Sequence, residues 1–142
     1  MSRTALVTGG TRGIGASISK ALKDAGHRVA ANFSSNEEAA KKFNQETGVE
    51  TFRWNVADYE ECNEGVEEVT KKLGPVEILI NNAGITRDAT LHKMALDKWL
   101  DVVNTNLNSL FNMTKNVINS MREKGFGRII NISSVNGQKG QI

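Results

Sequence analysis

Ala5-Leu6-Val7-Thr8-Gly9-Gly10-Thr11-Arg12-Gly13-Ile14-Gly15 is the stretch whose reading decides the fold. Its first four residues form a short apolar run, the pattern of a strand buried on both faces. Gly9-Gly10 stops the run. Ile14, Ile18, Ala21, Leu22 and Ala25 then recur at helical spacing, and Gly26 closes that helix. Gly9, Gly13 and Gly15 lie between strand and helix. A phosphate-binding turn needs glycine for positive φ, for close backbone approach to the anion and for tight helix–strand packing. The free amides and dipole of the following helix then face the negative charge. Many strand-to-helix turns hold two glycines for steric reasons alone, so the cluster gains weight only from its place in the chain. A nucleotide loop of the Gly-Lys-Ser/Thr type is set aside, because Gly15 is followed by Ala16 and Ser17.

The strand–turn–helix unit repeats outward from this point. Arg28 to Phe33 reads as a second strand. Ser35 with Glu38 makes a capping-box pattern for a helix that buries Ala39, Ala40 and Phe43 and stops near Gly48. Val49 to Val56 is a third strand. Asp58 with Glu61 repeats the cap signal ahead of a helix whose apolar face is Cys62, Val66, Val69 and Leu73, ended by Gly74-Pro75. Val76 to Ile80 is a fourth strand. Helical stretches follow at about Leu96 to Asn104 and Thr105 to Lys124, the second with Leu107, Leu110, Phe111, Thr114, Val117, Ile118 and Met121 on one side. Arg128 to Ile132 is a fifth strand. Such alternation implies right-handed crossovers and a parallel sheet covered on both faces. The expected fold class is α/β, a doubly wound sheet of Rossmann type, in one domain over residues 1–142. Ligands in such sheets bind outside the carboxyl ends of the strands. Those positions are Gly9 to Gly15, Ser34 to Asn36, Asn55 to Asp58, Asn81 to Gly84 and Ser133 to Gly137, all polar or glycine-rich.

Bulk properties exclude several classes. The 142 residues are 39% hydrophobic, 24% charged and 6% aromatic, with formal net charge +2. That charge is too near neutrality to argue for a nucleic-acid partner. The apolar runs are too short to span a bilayer, so no membrane partner is expected. One cysteine, Cys62, forbids an internal disulfide and fits the reducing cytoplasm. His27 and His92 are isolated from other ligand types, so no metal site is expected. Cys62 lies on a helix's apolar face, as a buried inert thiol does. Sequons at Asn32, Asn112 and Asn131 fall in a strand end, a helix and a buried strand, and are discounted.

Thr-Gly-x-x-x-Gly-x-Gly, from Thr8 to Gly15, departs from the Gly-x-Gly-x-x-Gly form and resembles the short-chain dehydrogenase/reductase family. The resemblance continues in Asn81-Asn82-Ala83-Gly84, in Asn104-Thr105-Asn106 and in Ile132-Ser133-Ser134, in order and at the family's usual intervals. It implies an oxidoreductase in which a nicotinamide gives hydride to a carbonyl. A tyrosine protonates the alkoxide, a serine bonds the carbonyl oxygen, a lysine tunes the tyrosine, and an asparagine holds a relay water. Ser134 matches that serine and Asn106 that asparagine. Taken as residues alone, Ser134 also reads as a turn cap and Asn106 as an N-cap-like kink. The one tyrosine, Tyr59, belongs to no Tyr-x-x-x-Lys pattern, and the sequence stops at Gln141-Ile142. The expectation is the N-terminal part of a family domain, truncated after about the fifth strand. It should be inactive or nearly so alone, with apolar surface of strands four and five uncovered.

The cofactor follows from the second strand. An NAD site usually sets a carboxylate at that strand's end, about 20 residues past the glycines, to accept from the ribose 2′-hydroxyl. Here the end is Asn32-Phe33-Ser34-Ser35, with no acid, and Arg12 lies inside the glycine loop. NADP(H) is therefore expected, its third phosphate balanced by Arg12 with Ser34, Ser35 and Asn36 as donors. An exposed loop cation beside helix-capping serines would give the same residues. Cofactor contacts are assigned to Gly9, Arg12, Gly13, Ile14, Gly15, Asn32, Ser34 and Ser35. By resemblance, Asn55 and Val56 would contact adenine, and Asn82, Ala83 and Gly84 would pack along the ribose and nicotinamide.

Within the family, His92-Lys93-Met94, Trp99, Leu110-Phe111-Asn112-Met113-Thr114 and Asn136 to Gln141 look like the reductases of 3-ketoacyl thioesters. Acetoacetyl-CoA reductases come first and 3-oxoacyl-acyl-carrier-protein reductases close behind. An acyl-CoA substrate near Asp88 and Gln141 is implied, as is a homotetramer built on the long helix carrying Phe111, Val117 and Met121. That stripe also reads as core. A non-catalytic nucleotide-binding module is the alternative from another class.

Overall fold

The structure is a computed structural model and describes residues 1–140. Strand β1 is Thr4–Val7, and all four residues are buried. Helix α1 spans Gly13–Asp24, β2 Arg28–Phe33, α2 Glu37–Thr47, β3 Glu50–Arg53 and α3 Tyr59–Leu73. Then come β4 at Ile78–Asn81, α4 at Leu96–Val103, α5 at Ser109–Lys124, β5 at Arg128–Asn131 and the short α6 at Asn136–Lys139. All five strands run parallel in one sheet of order β3-β2-β1-β4-β5. In register, Leu6 lies between Ala30 of β2 and Leu79 of β4. The chain builds outward from β1 to β3, then returns to β4 on the other flank of β1. That reversal opens a crevice at the carboxyl ends of β1 and β4.

Alternation along the strands assigns the two faces. Ala5, Val7, Val29, Ala31, Phe43, Val49 and Ile80 cluster on the side of α1 and α2. Leu6, Ala30, Phe52, Leu79, Val66, Val69, Met113, Val117 and Met121 cluster on the side of α3 and α5. Each fully buried Leu or Val stabilises the fold by about 1.5–3 kcal/mol before entropy is counted. β4 is covered on both faces, with Leu79 and Ile80 buried, whereas Ile130 of β5 and Ile132 after it are exposed. The expectation of uncovered apolar surface thus holds for β5 and fails for β4, which β1 and both helical layers enclose.

Several local expectations are corrected. Asn36, not Ser35, caps α2: its Oδ1 accepts from the Ala39 amide at 3.0 Å. Ala39 is only half-buried. Asp58 does cap α3, accepting from the Glu61 amide at 2.9 Å, but the Glu61 carboxylate reaches back to the Asn55 amide at 2.7 Å. β3 stops at Arg53 because the Asn55 side chain takes the Ala57 amide and turns the chain. The long helical stretch is interrupted by a π-helical turn at Asn104–Asn108. Its buried face is Ser109, Asn112, Met113, Val117 and Met121, while Leu107 and Phe111 are exposed. Val117 and Met121 are therefore core, and the expected single stripe splits in two. Among the described residues no helix is long and apolar enough to cross a membrane.

Candidate functional site

The crevice is built around Thr8. Its amide donates to the Ile80 carbonyl at 3.0 Å, continuing the β1–β4 pairing by one residue. Its Oγ1 then accepts from the amides of Asn82 and Ala83, at 3.0 and 2.9 Å. The Asn82 carboxamide donates to the carbonyls of Thr8 and Gly9, at 3.1 and 3.3 Å. The turn after β1 and the loop after β4 are thus one hydrogen-bonded unit. A third strand joins it. The Asn32 Oδ1 accepts from the Gly9 amide at 3.3 Å, the Asn32 carbonyl from the Gly10 amide at 2.9 Å, and the Asn32 Nδ2 donates to the Trp54 carbonyl at 3.0 Å. The Ser19 hydroxyl, buried in α1, donates to the Gly10 carbonyl at 2.9 Å.

These bonds leave an anion cradle at the head of α1. The first bond of the helix runs from the Ala16 amide to the Arg12 carbonyl at 3.1 Å, and no side chain caps the turn. The amides of Gly13, Ile14 and Gly15 precede that ladder and are the free donors of a helix start. Gly13 sits at φ +54°, a left-handed conformation that a side chain resists. Gly15 faces a different demand: a Cβ there would collide with the Gly9 carbonyl and the Asn82 carboxamide. The diphosphate of a dinucleotide fits these donors and this bare backbone. Arg12 is the exposed N-cap residue and joins none of the ion pairs among the described residues. Ile14 is 66% exposed beside it, an apolar surface at the edge of the cradle.

The other expected contacts divide. Ser34 and Ser35 are exposed just past β2, and because Asn36 does the capping their hydroxyls are not consumed by it. Asn32 is 2% exposed and its side chain is wholly engaged inside the protein, so it holds the glycine turn rather than lying on the surface of the crevice. Asn55 is exposed, but Val56 is buried, its carbonyl accepting from the Asn112 carboxamide at 3.0 Å and from the Cys62 thiol at 3.5 Å. Gly84 lies beside Asn106. The Asn106 carboxamide clamps Ile85 at two points, accepting from its amide at 2.8 Å and donating to its carbonyl at 2.9 Å. π-Helical turns of this kind concentrate at functional sites. Ser134 is exposed, and its Oγ accepts from the Asn136 amide at 3.2 Å, a turn cap that leaves the hydroxyl proton to be donated elsewhere. Asp88 is exposed in an irregular segment between β4 and a 3-10 turn at Leu91–Lys93. Gln141 lies outside the described residues. Thr8, Ser19 and Asn112 were not among the expected site residues, although Thr8 opens the quoted glycine motif. The buried Cys62 thiol is pushed by that burial up to about 12.

The family model for short chain dehydrogenases matches residues 3–142, and the chain belongs to that family. Among its relatives, the acetoacetyl-CoA reductase of Shinella zoogloeoides is 59% identical over all 142 residues. That of Paracoccus denitrificans is 58% identical over 139 residues, or 98% of this chain. The 3-oxoacyl-acyl-carrier-protein reductase of Staphylococcus aureus is 41% identical over 145 aligned positions, 99% of this chain. The chain spans 59%, 57% and 59% of the lengths of these three proteins. A crystal structure of a single-substitution variant of actinorhodin polyketide ketoreductase with NADPH superposes with a TM-score of 0.93 at 38% identity, covering 99% of this chain and 56% of that one.

Proposed function

We propose that this chain is the nucleotide-binding part of an NADPH-dependent reductase of 3-ketoacyl thioesters, acting on acetoacetyl-CoA to give 3-hydroxybutyryl-CoA. The observation that carries the cofactor is a charge pattern. Arg12 heads α1 without an ion-pair partner among the described residues, and the end of β2, tied to the same turn through Asn32, has no carboxylate between Asn32 and Asn36. A 2′-phosphate gains a charge-assisted bond there and meets no repelling acid at the strand end. The polyketide ketoreductase with NADPH supports the same cofactor.

Bound, the nicotinamide supplies hydride to the ketone. The chain's own residues hold and orient. Gly13, Ile14 and Gly15 would offer amides to the diphosphate, Asn55 and the Val56 backbone would flank the adenine, and Asn82, Ala83 and Gly84 would line the ribose side. Ser134 would donate a hydrogen bond to the substrate carbonyl oxygen while keeping its proton, and Asn106, clamping Ile85, would fix the segment after Gly84 on the nicotinamide side. The family resemblance assigns Asp88 and Gln141 to the thioester. The one tyrosine, Tyr59, opens α3 and stacks on Phe111 with ring centroids 6.2 Å apart, away from Ser134 in sequence and in any Tyr-x-x-x-Lys context. Lacking a general acid, these 142 residues by themselves bind nucleotide without turning over substrate. Copies of the intact protein associate as a homotetramer, with exposed Leu107 and Phe111 the apolar residues available on the long helix.

Two thioester carriers share this chemistry. Higher identity to the acetoacetyl-CoA reductases, 59% against 41%, favours coenzyme A over the acyl carrier protein. Calorimetric titration of the chain with NADPH and NADH, paired with an acetoacetyl-CoA reduction assay, tests the reading. NADPH binding at least tenfold tighter than NADH, reduced to parity by Arg12→Ala, is the expected result, with no turnover by the chain alone. Absence of heat with either nucleotide sinks the proposal, and turnover at ordinary rates sinks the part about the missing acid.

A further inference from the structure

The phosphate end of the crevice has a carboxylate problem. Asn36 is followed at once by Glu37 and Glu38, the first turn of α2. They suit the helix dipole, yet they stand three and four residues beyond Ser34, where a 2′-phosphate is proposed to sit. Arg53, the last residue of β3, answers this from the neighbouring strand, where it is in register with Phe33. Its Nε donates to the Ser34 carbonyl at 3.1 Å and its Nη1 to the Glu37 carboxylate at 2.6 Å. One planar guanidinium therefore fixes the backbone of the loop and neutralises the nearer acid. Both side chains are more than half exposed, 55% and 68%. An ion pair so exposed adds little to stability; it does offset the Glu37 charge beside the Ser34 loop.

We propose that Arg53 is a positioning residue for cofactor selection: it anchors the Ser34–Asn36 loop and masks Glu37, and this makes the end of β2 acceptable to a phosphate. The proposal rests on the NADPH reading above. A guanidinium suits the position better than an ammonium, because one rigid plane presents separate N–H groups to the Ser34 carbonyl and the Glu37 carboxylate.

The test is calorimetric titration of the full chain and its variants with NADPH, NADH and 2′,5′-ADP. Arg53→Met should weaken NADPH and 2′,5′-ADP by about fivefold to twentyfold and change NADH by less than about twofold. Adding Glu37→Gln to that variant should recover most of the loss, and Glu37→Gln alone should not weaken NADPH. Arg53→Lys should fall between wild type and Arg53→Met. A merely structural role would shift NADPH and NADH together; that result, or an unchanged NADPH affinity, or no recovery with Glu37→Gln, overturns the proposal. A wild-type chain without NADPH preference brings down the underlying reading as well. A wild-type preference that Arg53→Met retains brings down this inference alone.

Discussion

Thr8 and Asn82 bond each other in both directions: the Thr8 hydroxyl accepts from the Asn82 amide at 3.0 Å, and the Asn82 carboxamide donates to the Thr8 carbonyl at 3.1 Å. Two segments 74 residues apart in sequence are thereby locked at the one place where the sheet order reverses. The two lips of the crevice are thus held by a single hydrogen-bonded network.

Thr8→Val tests that network with little change of shape. Valine keeps the buried volume but leaves the amides of Asn82 and Ala83 without their acceptor. A loss of about 1–3 kcal/mol is expected in urea unfolding. NADPH affinity should fall by about tenfold, since the cradle loses its registration with the loop after β4. Wild-type stability together with wild-type affinity in the variant would show the network to be incidental.

Gly13 and Gly15 should respond differently to the same substitution. An added methyl at Gly13 meets nothing within 4 Å, so Gly13→Ala bears only the left-handed φ of +54° and costs about 1–2 kcal/mol. At Gly15 the methyl would overlap the Gly9 carbonyl, backbone that cannot step aside. Gly15→Ala should cost more than Gly13→Ala in thermal unfolding and abolish nucleotide binding, because relief requires moving the turn. Equal melting temperatures for the two variants would refute the steric account.

Glu77 sets an acid limit on stability. Its burial raises the carboxyl, but the Thr4 amide, the Arg3 guanidinium and the charge of Lys124 outweigh this and hold it below its ordinary 4.5. A carboxylate lowered in the folded state stabilises fully above its unfolded value. That contribution is lost as pH falls from about 4.5 through the folded value. Arg3 bonds Glu77 at 2.8 Å with both side chains largely buried. Glu77→Gln should therefore cost about 1–3 kcal/mol at pH 7, and the gap from wild type should close as pH falls from about 4.5 through the lowered folded value. Urea midpoints measured from pH 7 to pH 3 decide it; a gap that is constant with pH contradicts the assignment.

The strands were legible because Ala5 to Val7 and Leu79 to Ile80 are apolar in unbroken runs between glycine or asparagine stops. The glycine cradle was legible for the same local reason. Polar residues whose partners lie far along the chain were not. Nothing near Asn112 in sequence announces that its carboxamide spans 56 residues to the Val56 carbonyl, and helical spacing points to Phe111, which is exposed, rather than to this buried asparagine. The π-turn at Asn104–Asn108 compounds this. One extra residue in a helical turn rotates all that follows by about 100°, and a stripe counted at 3.6 residues per turn drifts off the face it began on. The partners of Asn32 were illegible for a related reason. A strand-end asparagine facing a glycine turn can serve ligand or backbone, and only the position of the Gly9 amide shows which.

Cys62 offers a probe of how tightly the adenine side of the crevice is closed. The thiol is 0% exposed and packs against the carbonyls of Asn55 and Val56, the residues proposed to flank adenine. Burial pushes its pKa up to about 12, so little thiolate forms at pH 8 and a disulfide reagent reacts mainly when the segment opens. One equivalent should be labelled at once in denaturant, since the chain has one cysteine, and labelling under native conditions should be slower by orders of magnitude. Saturating NADPH should slow it further, by about the factor through which binding disfavours opening, a hundredfold at a hundred times the dissociation constant. Adding 2′,5′-ADP should protect nearly as well if adenine lies over Asn55, whereas nicotinamide mononucleotide should not. Fast native labelling would mean that α3 does not seal the thiol, and protection by the mononucleotide alone would move the adenine elsewhere.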